Sequence, residues 1–353
     1  MRAYLSLLIP FTFIFFNVFH SQAQIIDSLY SKNKEANAYY LKALAVEKNS
    51  KPRTIGYTDS LEVMVQLLEK AVKEDTLFIE AYFKLAKTYD GFTFSHPNTE
   101  KYQLKGYELR TKAKQELYKI LVIDSTYKDA WFYLGGLSMF MDYNWDMAIN
   151  NYKKAISLDT SNVDYFVALA LPLALKGKWD AAQFIIDKAN KMKPEQRSVI
   201  RTTGFYYYWK GDYLKSQEYL TKPNGSKFYA ALSFLATNET TKALELLKTQ
   251  YPANEEYDGG SKALWAYALI INGNIEEGKT LLNKSFELKQ SVNYRAAACY
   301  VALGDYNKAI DLLEECYSQH GNWMIWLKYD RCFDPIRNMK RFKSLLKKMR
   351  FDK

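Results

Sequence analysis

The chain is poor in the residues that carry out chemistry. It has three histidines and three cysteines in 353 residues. His20 lies in an apolar N-terminal stretch, and His96 and His320 stand apart in separate loops. No H-x3-H, H-E-x-x-H or C-x-x-C spacing exists to hold zinc. No G-x-S-x-G elbow, P-loop or G-x-G-x-x-G turn occurs, so a serine nucleophile and a phosphate cradle lack their usual scaffolds. The adjacent carboxylates Glu255-Glu256 and Glu314-Glu315 fall beside a loop and on a predicted helix, where charge is ordinarily solvated rather than paired for acid–base work. No catalytic residue, metal ligand or cofactor is expected.

Cysteine usage is equally thin. Cys299, Cys316 and Cys332 are an odd number, all near the C-terminal end. Cys299 and Cys316 fall on neighbouring predicted helices, which leaves a disulfide open, but small buried slots are the simpler expectation.

Long hydrophobic runs are absent except in MRAYLSLLIPFTFIFFNVFHSQAQ. Arg2, the apolar run Leu5–Phe19, and small residues at Ser21 and Ala23 have the layout of a secretory leader over residues 1–23, with cleavage before Gln24. The run is short for a membrane span, so an uncleaved anchor is the second choice. No cysteine follows to take a lipid. The expected location is outside the cytoplasm, periplasmic rather than freely secreted.

Basic charge is what the C-terminus has in excess. The net charge is +10, and residues 321–353 hold ten Lys and Arg against Asp330, Asp334 and Asp352, a surplus of seven. With Arg2 set aside, about +2 remains over residues 24–320. One basic terminal helix is a poor nucleic-acid surface, and none is expected as partner. Within Arg337–Lys353, the residues Phe342, Leu345, Leu346 and Met349 predict a helix that docks as a cap on the last unit before it. Membrane contact is expected only through this basic tail or an uncleaved N-terminus.

A fixed period organises the rest. Small residues recur at Ala113, Ala148, Ala182, Ser216, Ala243, Gly278 and Ala309, with steps of 35, 34, 34, 27, 35 and 31. Four residues after each comes a large apolar one: Leu117, Tyr152, Ile186, Leu220, Leu247, Leu282 and Leu313. Small residues return at Ala155, Ala189, Ser285 and Cys316, giving an i, i+4, i+7 stripe where a neighbouring helix must approach closely. A matching helix precedes each, with Gly135, Ala170, Gly204, Ala231, Ala266 and Ala297 at its contact point. Two thin helices per unit cannot bury their faces alone and must stack on their neighbours. The short step at 216–243 follows from Pro223-Asn224-Gly225, which cuts a helix short.

These residues resemble the tetratricopeptide repeat, whose 34-residue unit reads W-x2-L-G-x2-Y, then A, F, A and a closing P. Trp131, Leu134, Gly135, Ala148, Tyr152 and Ala155 follow it with one inserted residue, and Phe166, Leu169, Ala170, Ala182, Ile186, Ala189 and Pro194 at standard spacing. The segment MDYNWDMAINNYKKAISLD and the ending FDPIRNMKRFKSLLKKM also look like the repeat block behind winged-helix or nucleotide-cyclase domains of bacterial signalling proteins. The expected fold is all-α: a right-handed superhelical solenoid of about eight helix–turn–helix units over 24–320, closed by a cap segment and basic helix over 321–353. Units are expected at 35–74, 79–123, 128–158, 162–192, 196–222, 226–250, 260–288 and 291–319, with a kink at Pro172.

The resemblance implies a non-enzymatic scaffold that takes a protein or peptide in a groove lined by the first helices. By helical phase that groove carries Phe132, Met139, Arg201, Phe205, Tyr208, Tyr267 and Tyr294, and it is richest in TTGFYYYWKGDY. Aromatic faces suit apolar side chains and a guanidinium suits a carboxylate. The Lys and Asn clamp of chaperone-binding members is missing, since the equivalent pairs read Phe132/Gly136, Val167/Leu171 and Arg201/Phe205. The alternative is a regulatory repeat module acting in trans, without the output domain of the signalling proteins.

Overall fold

The structure is a computed structural model that describes residues 31–50, 57–92, 100–250, 259–287 and 293–351. The expected leader and its cleavage site, His96 and the Glu255-Glu256 pair lie outside these residues. All regular secondary structure among the described residues is helical.

The helices come in eight pairs at the expected positions. They are α1 (Lys34–Asn49) with α2 (Tyr57–Glu74), α3 (Ile79–Gly91) with α4 (Glu100–Ile123), and α5 (Lys128–Phe140) with α6 (Trp145–Leu158). Next are α7 (Val163–Leu175) with α8 (Trp179–Met192), and α9 (Arg197–Lys210) with α10 (Tyr213–Leu220). The last three pairs are α11 (Lys227–Ala236) with α12 (Thr240–Gln250), α13 (Gly259–Ile271) with α14 (Ile275–Glu287), and α15 (Asn293–Ala302) with α16 (Tyr306–Ser318). Two short 3-10 helices, Asn322–Trp326 and Arg331–Ile336, lead into α17 (Lys340–Lys348).

The corner between the helices of a pair explains why the chain turns where it does. Gly211 has φ of 85° and Gly304 of 82°, a left-handed conformation that a side chain resists. The next residue then starts the second helix: Asp212 accepts from the Lys215 amide, and Asp305 from the Lys308 amide. Asn238, at φ 62°, supplies the same turn in the sixth pair.

Close approach explains the small residues. Ala113, Ala148, Ala182, Ser216, Ala243 and Ala309 are fully buried. A methyl group on Gly278 would stand 2.6 Å from Ile270 Cγ1 and 3.0 Å from the Ala266 carbonyl oxygen. Leu117, Tyr152, Ile186, Leu220, Leu247, Leu282 and Leu313 are buried beside them, as the stripe requires. The helix α7 runs through Pro172 to Leu175 with all its residues buried.

The described chain falls into two compact units, divided between Leu137 and Ser138. In the first, α1 packs on α2, α2 on α3 and α3 on α4. A buried ion pair, Arg110 Nε to Asp90 Oδ1 at 2.9 Å, ties α4 to α3. In the second, each pair packs on the next, and α7 with α9 and α13 with α15 place first helices side by side.

Candidate functional site

The face built by the first helices of the second unit is occupied by the chain's own C-terminal segment. Gly321 starts it, with its amide donating to the Cys316 carbonyl at 2.9 Å and a bare Cα where a methyl group would meet Cys316 Sγ at 2.4 Å. The segment then inserts Trp323, Trp326, Tyr329, Asp330 and Phe333 along that face.

Each insertion has a defined receptor. The Trp326 ring lies 5.2 Å from Phe205, 5.4 Å from Tyr208, 5.1 Å from Trp209 and 5.1 Å from Tyr229, on which it stacks. It is 1% exposed, so the pocket of α9 and α11 rings is full. Trp323 meets Phe228, Tyr229 and Tyr294 at 5.4, 5.9 and 6.4 Å. Tyr329 packs edge-on to Trp179 and donates its hydroxyl to the carbonyls of Ala174 and Leu175 at 3.4 and 3.3 Å. Those carbonyls lie at the C-terminal end of α7, where Ala174 also accepts the Gly177 amide at 2.8 Å. Arg331 likewise donates to Ala236, the last carbonyl of α11, at 2.7 Å, and brings a cation to a helix C-terminus.

Asp330 is the polar centre of the assembly. Its carboxylate accepts from the Tyr208 hydroxyl at 3.0 Å, the Tyr294 hydroxyl at 3.2 Å and Arg295 Nη1 at 2.8 Å. Asp330 and Arg295 are both 1% exposed. The guanidinium also lies over the rings of Tyr294 and Trp323, at 5.0 and 5.2 Å. Burial alone would lower the Arg295 pKa, but Asp330 beside it reverses the direction and holds the arginine charged. Burial, and then the Asp330 charge, push the Tyr208 and Tyr294 hydroxyls well above the usual tyrosine range, so both act as donors.

The segment then turns outward and returns. Arg337 Nη2 donates to the Asp330 carbonyl at 2.9 Å. Phe342, Leu345 and Met349 are buried, and Arg341 pairs with Asp311 and Glu314 of α16 at 2.7 Å each. The expected cap on the eighth pair is therefore present. It also reaches much further back: Trp145 Nε1 of α6 donates to the Met349 carbonyl at 3.1 Å, and Phe351 stacks on Trp145 at 5.0 Å.

This arrangement differs from the open groove expected over these hairpins. Phe205, Tyr208 and Tyr294 do face it, but they hold the chain's own Trp326, Phe333 and Asp330 instead of an incoming peptide. Arg201, expected to grip a ligand carboxylate, donates from Nε and Nη2 to the Gly225 carbonyl at 3.1 and 2.9 Å. Burial lowers its pKa to about 10, and its function here is to clamp the loop after α10. Met139 is fully buried. Tyr267 is half-buried, and its hydroxyl feels burial first and then Cys332 and Asp330. Phe132, half-buried on α5, belongs to the first unit.

The cysteines behave as fillers. All three are buried and free. Cys299 Sγ donates to the Ala263 carbonyl at 3.2 Å, and burial pushes the Cys316 thiol up to about 12. Such thiols are poor nucleophiles.

The first unit offers a different face. Tyr40 on α1 packs against Phe78 at 4.9 Å, and Phe83 on α3 meets Tyr127 and Tyr133 edge-on at 5.5 and 5.7 Å. Lys84 of α3 pairs with Glu47 of α1. Lys87 lies over Phe83 at 5.8 Å, with its pKa lowered by burial and next by the Lys84 charge. Tyr40, Phe83, Lys84 and Lys87 are all half-buried, and the Lys84 side chain is 13% exposed beside its Glu47 partner.

The tetratricopeptide-repeat family model matches residues 291–322, the eighth pair and the entry to the C-terminal segment. No curated relative matches the sequence. Among solved structures, MamA is 22% identical with a TM-score of 0.39, over 63% of this chain and 98% of its own. YrrB, described as a tetratricopeptide-repeat protein with an unusual peptide-binding site, is 19% identical with a TM-score of 0.39, over 61% and 94%. Yeast Tom70 is 18% identical with a TM-score of 0.39, over 94% and 71%.

Proposed function

We propose that this tetratricopeptide-repeat chain is a non-catalytic, extracytoplasmic scaffold that takes a protein or peptide partner on its first unit. The observation that carries the reading is the filled face of the second unit. A partner there would have to displace Trp326, Asp330 and Phe333, all of them buried. The first unit instead carries Tyr40, Phe83, Lys84 and Lys87 side by side on α1 and α3, each only partly buried and with no segment of the chain laid over them among the described residues. Aromatic faces beside cations suit an extended segment that carries apolar and acidic side chains. The leader-like residues 1–23 support a site of work outside the cytoplasm, with the periplasm preferred. Among the described residues no helix is long and apolar enough to cross a membrane.

The test is a cross-linked pull-down from cell-envelope extract with the full chain, beside a Phe83→Ala/Lys87→Glu variant and a Lys87→Glu variant. A partner held by the unmodified chain and lost from both variants, with their melting temperatures unchanged, is the expected result. Equal capture by all three would remove the first-unit face as the interface, and specific turnover of any substrate would remove the scaffold reading.

A further inference from the structure

A run of cations lies on α17 and just after it. From Lys340 to Arg350 the sequence KRFKSLLKKMR holds six cations and no acid. One of them, Arg341, is neutralised by Asp311 and Glu314. Lys340, Lys343, Lys347, Lys348 and Arg350 are exposed, and among the described residues none of the five is in an ion pair.

Helical phase sorts these residues cleanly. At about 100° per residue, Phe342, Leu345 and Met349 define one face, and that face is buried against the second unit. Lys340, Lys343 and Lys347 fall on the opposite side, with exposed Ser344 between them and Lys348 on the flank. The helix cannot roll to mix the two faces, because its apolar side chains are locked in and Arg341 is held by α16. A fixed row of ammonium groups therefore points outward.

The chemistry of this row selects its partner. Protein interfaces draw affinity from apolar anchors, and α17 has already buried its own. Single-stranded nucleic acid needs aromatic platforms for stacking, and α17 exposes none. Lysine heads on flexible stems, without a groove or ring, match a flat, delocalised array of phosphates.

We infer that the outer face of α17 is an electrostatic docking surface for anionic phospholipid headgroups, which rests the second unit on a membrane without inserting into it. This is independent of the partner face on the first unit. Each cation near an anionic surface strengthens binding roughly fivefold at moderate salt, so reversing three charges abolishes it.

The experiment places a fluorophore at Ser344→Cys, since the three native cysteines are buried. Energy transfer is then measured to an acceptor lipid in vesicles of phosphatidylcholine alone or with about 30% phosphatidylglycerol, a fraction sufficient for a negative surface potential. A local probe reads α17 itself, whatever the N-terminal residues do. Transfer is expected only on the anionic vesicles, weakened at least tenfold at roughly 0.5 M salt, where screening is short-ranged. It should be absent from Lys340→Glu/Lys343→Glu/Lys347→Glu. Equal transfer on neutral vesicles, or transfer unaffected by the triple reversal, would overturn the inference. So would full competition by inorganic phosphate at constant ionic strength, which would mean a discrete phosphate site, or by polyglutamate, which would mean an acidic protein partner.

Discussion

Asp330→Ala is expected to cost the second unit about 3–5 kcal/mol, because it strands the buried Arg295 charge without its carboxylate. The substitution also removes the acceptor for Tyr208 and Tyr294, whose hydroxyls lie at 3.0 and 3.2 Å. The partner residue is what makes the effect large. Arg295 lies against Tyr294, Trp323 and Phe228 and is 1% exposed. A double-mutant cycle separates pairing from mere packing. If the pair is the cause, Arg295→Met/Asp330→Leu should recover most of the loss, since apolar replacement of a buried ion pair is often near neutral. Thermal melting of the unmodified chain, Asp330→Leu, Arg295→Met and the double variant decides it. Additive losses would show that the two charges do not act on each other.

The second large effect is expected at Trp326→Ala. Removing a buried tryptophan costs about 3–5 kcal/mol through lost transfer energy and the cavity left behind. Here the cavity would open between Phe205, Tyr208 and Trp209 of α9 and Tyr229 of α11, rings whose two helices would have to shift for the gap to close. A fall in melting temperature on the order of 10 °C follows for a unit of this size. Trp326→Phe should recover part of it. A change of only a degree or two would mean that the indole lies outside the core.

The helices were legible in the sequence because their signals are local. Ala182, Ile186 and Ala189 stand within two turns of one helix, and the Gly-Asp corners at 211–212 and 304–305 carry both the left-handed turn and the N-cap. The occupied face was not legible, because its partners are distant in the chain. Tyr208 meets Asp330 across 122 positions, and Trp145 meets Met349 across 204. A helical period cannot report a contact of that separation. Arg201 shows the same limit: phase placed it on the face, but the Gly225 carbonyl that takes its guanidinium comes from a loop.

One local signal did mark the C-terminal segment. The stretch WMIWLKYD combines two tryptophans with Met324, Ile325 and Leu327, too apolar for a solvated tail. The structure gives the two parts separate roles, with residues 322–336 as the filling of the face and α17 as the cap.

Residues 322–336 fill the face of the second unit. Hydrogen–deuterium exchange of the full chain, resolved by peptide, tests it most directly. Amides of 322–336 should exchange as slowly as those of α9 and α15 and open together with them under mild denaturant. Exchange of this segment within seconds, beside protected α9 and α15, would contradict the account and return the face to an incoming partner.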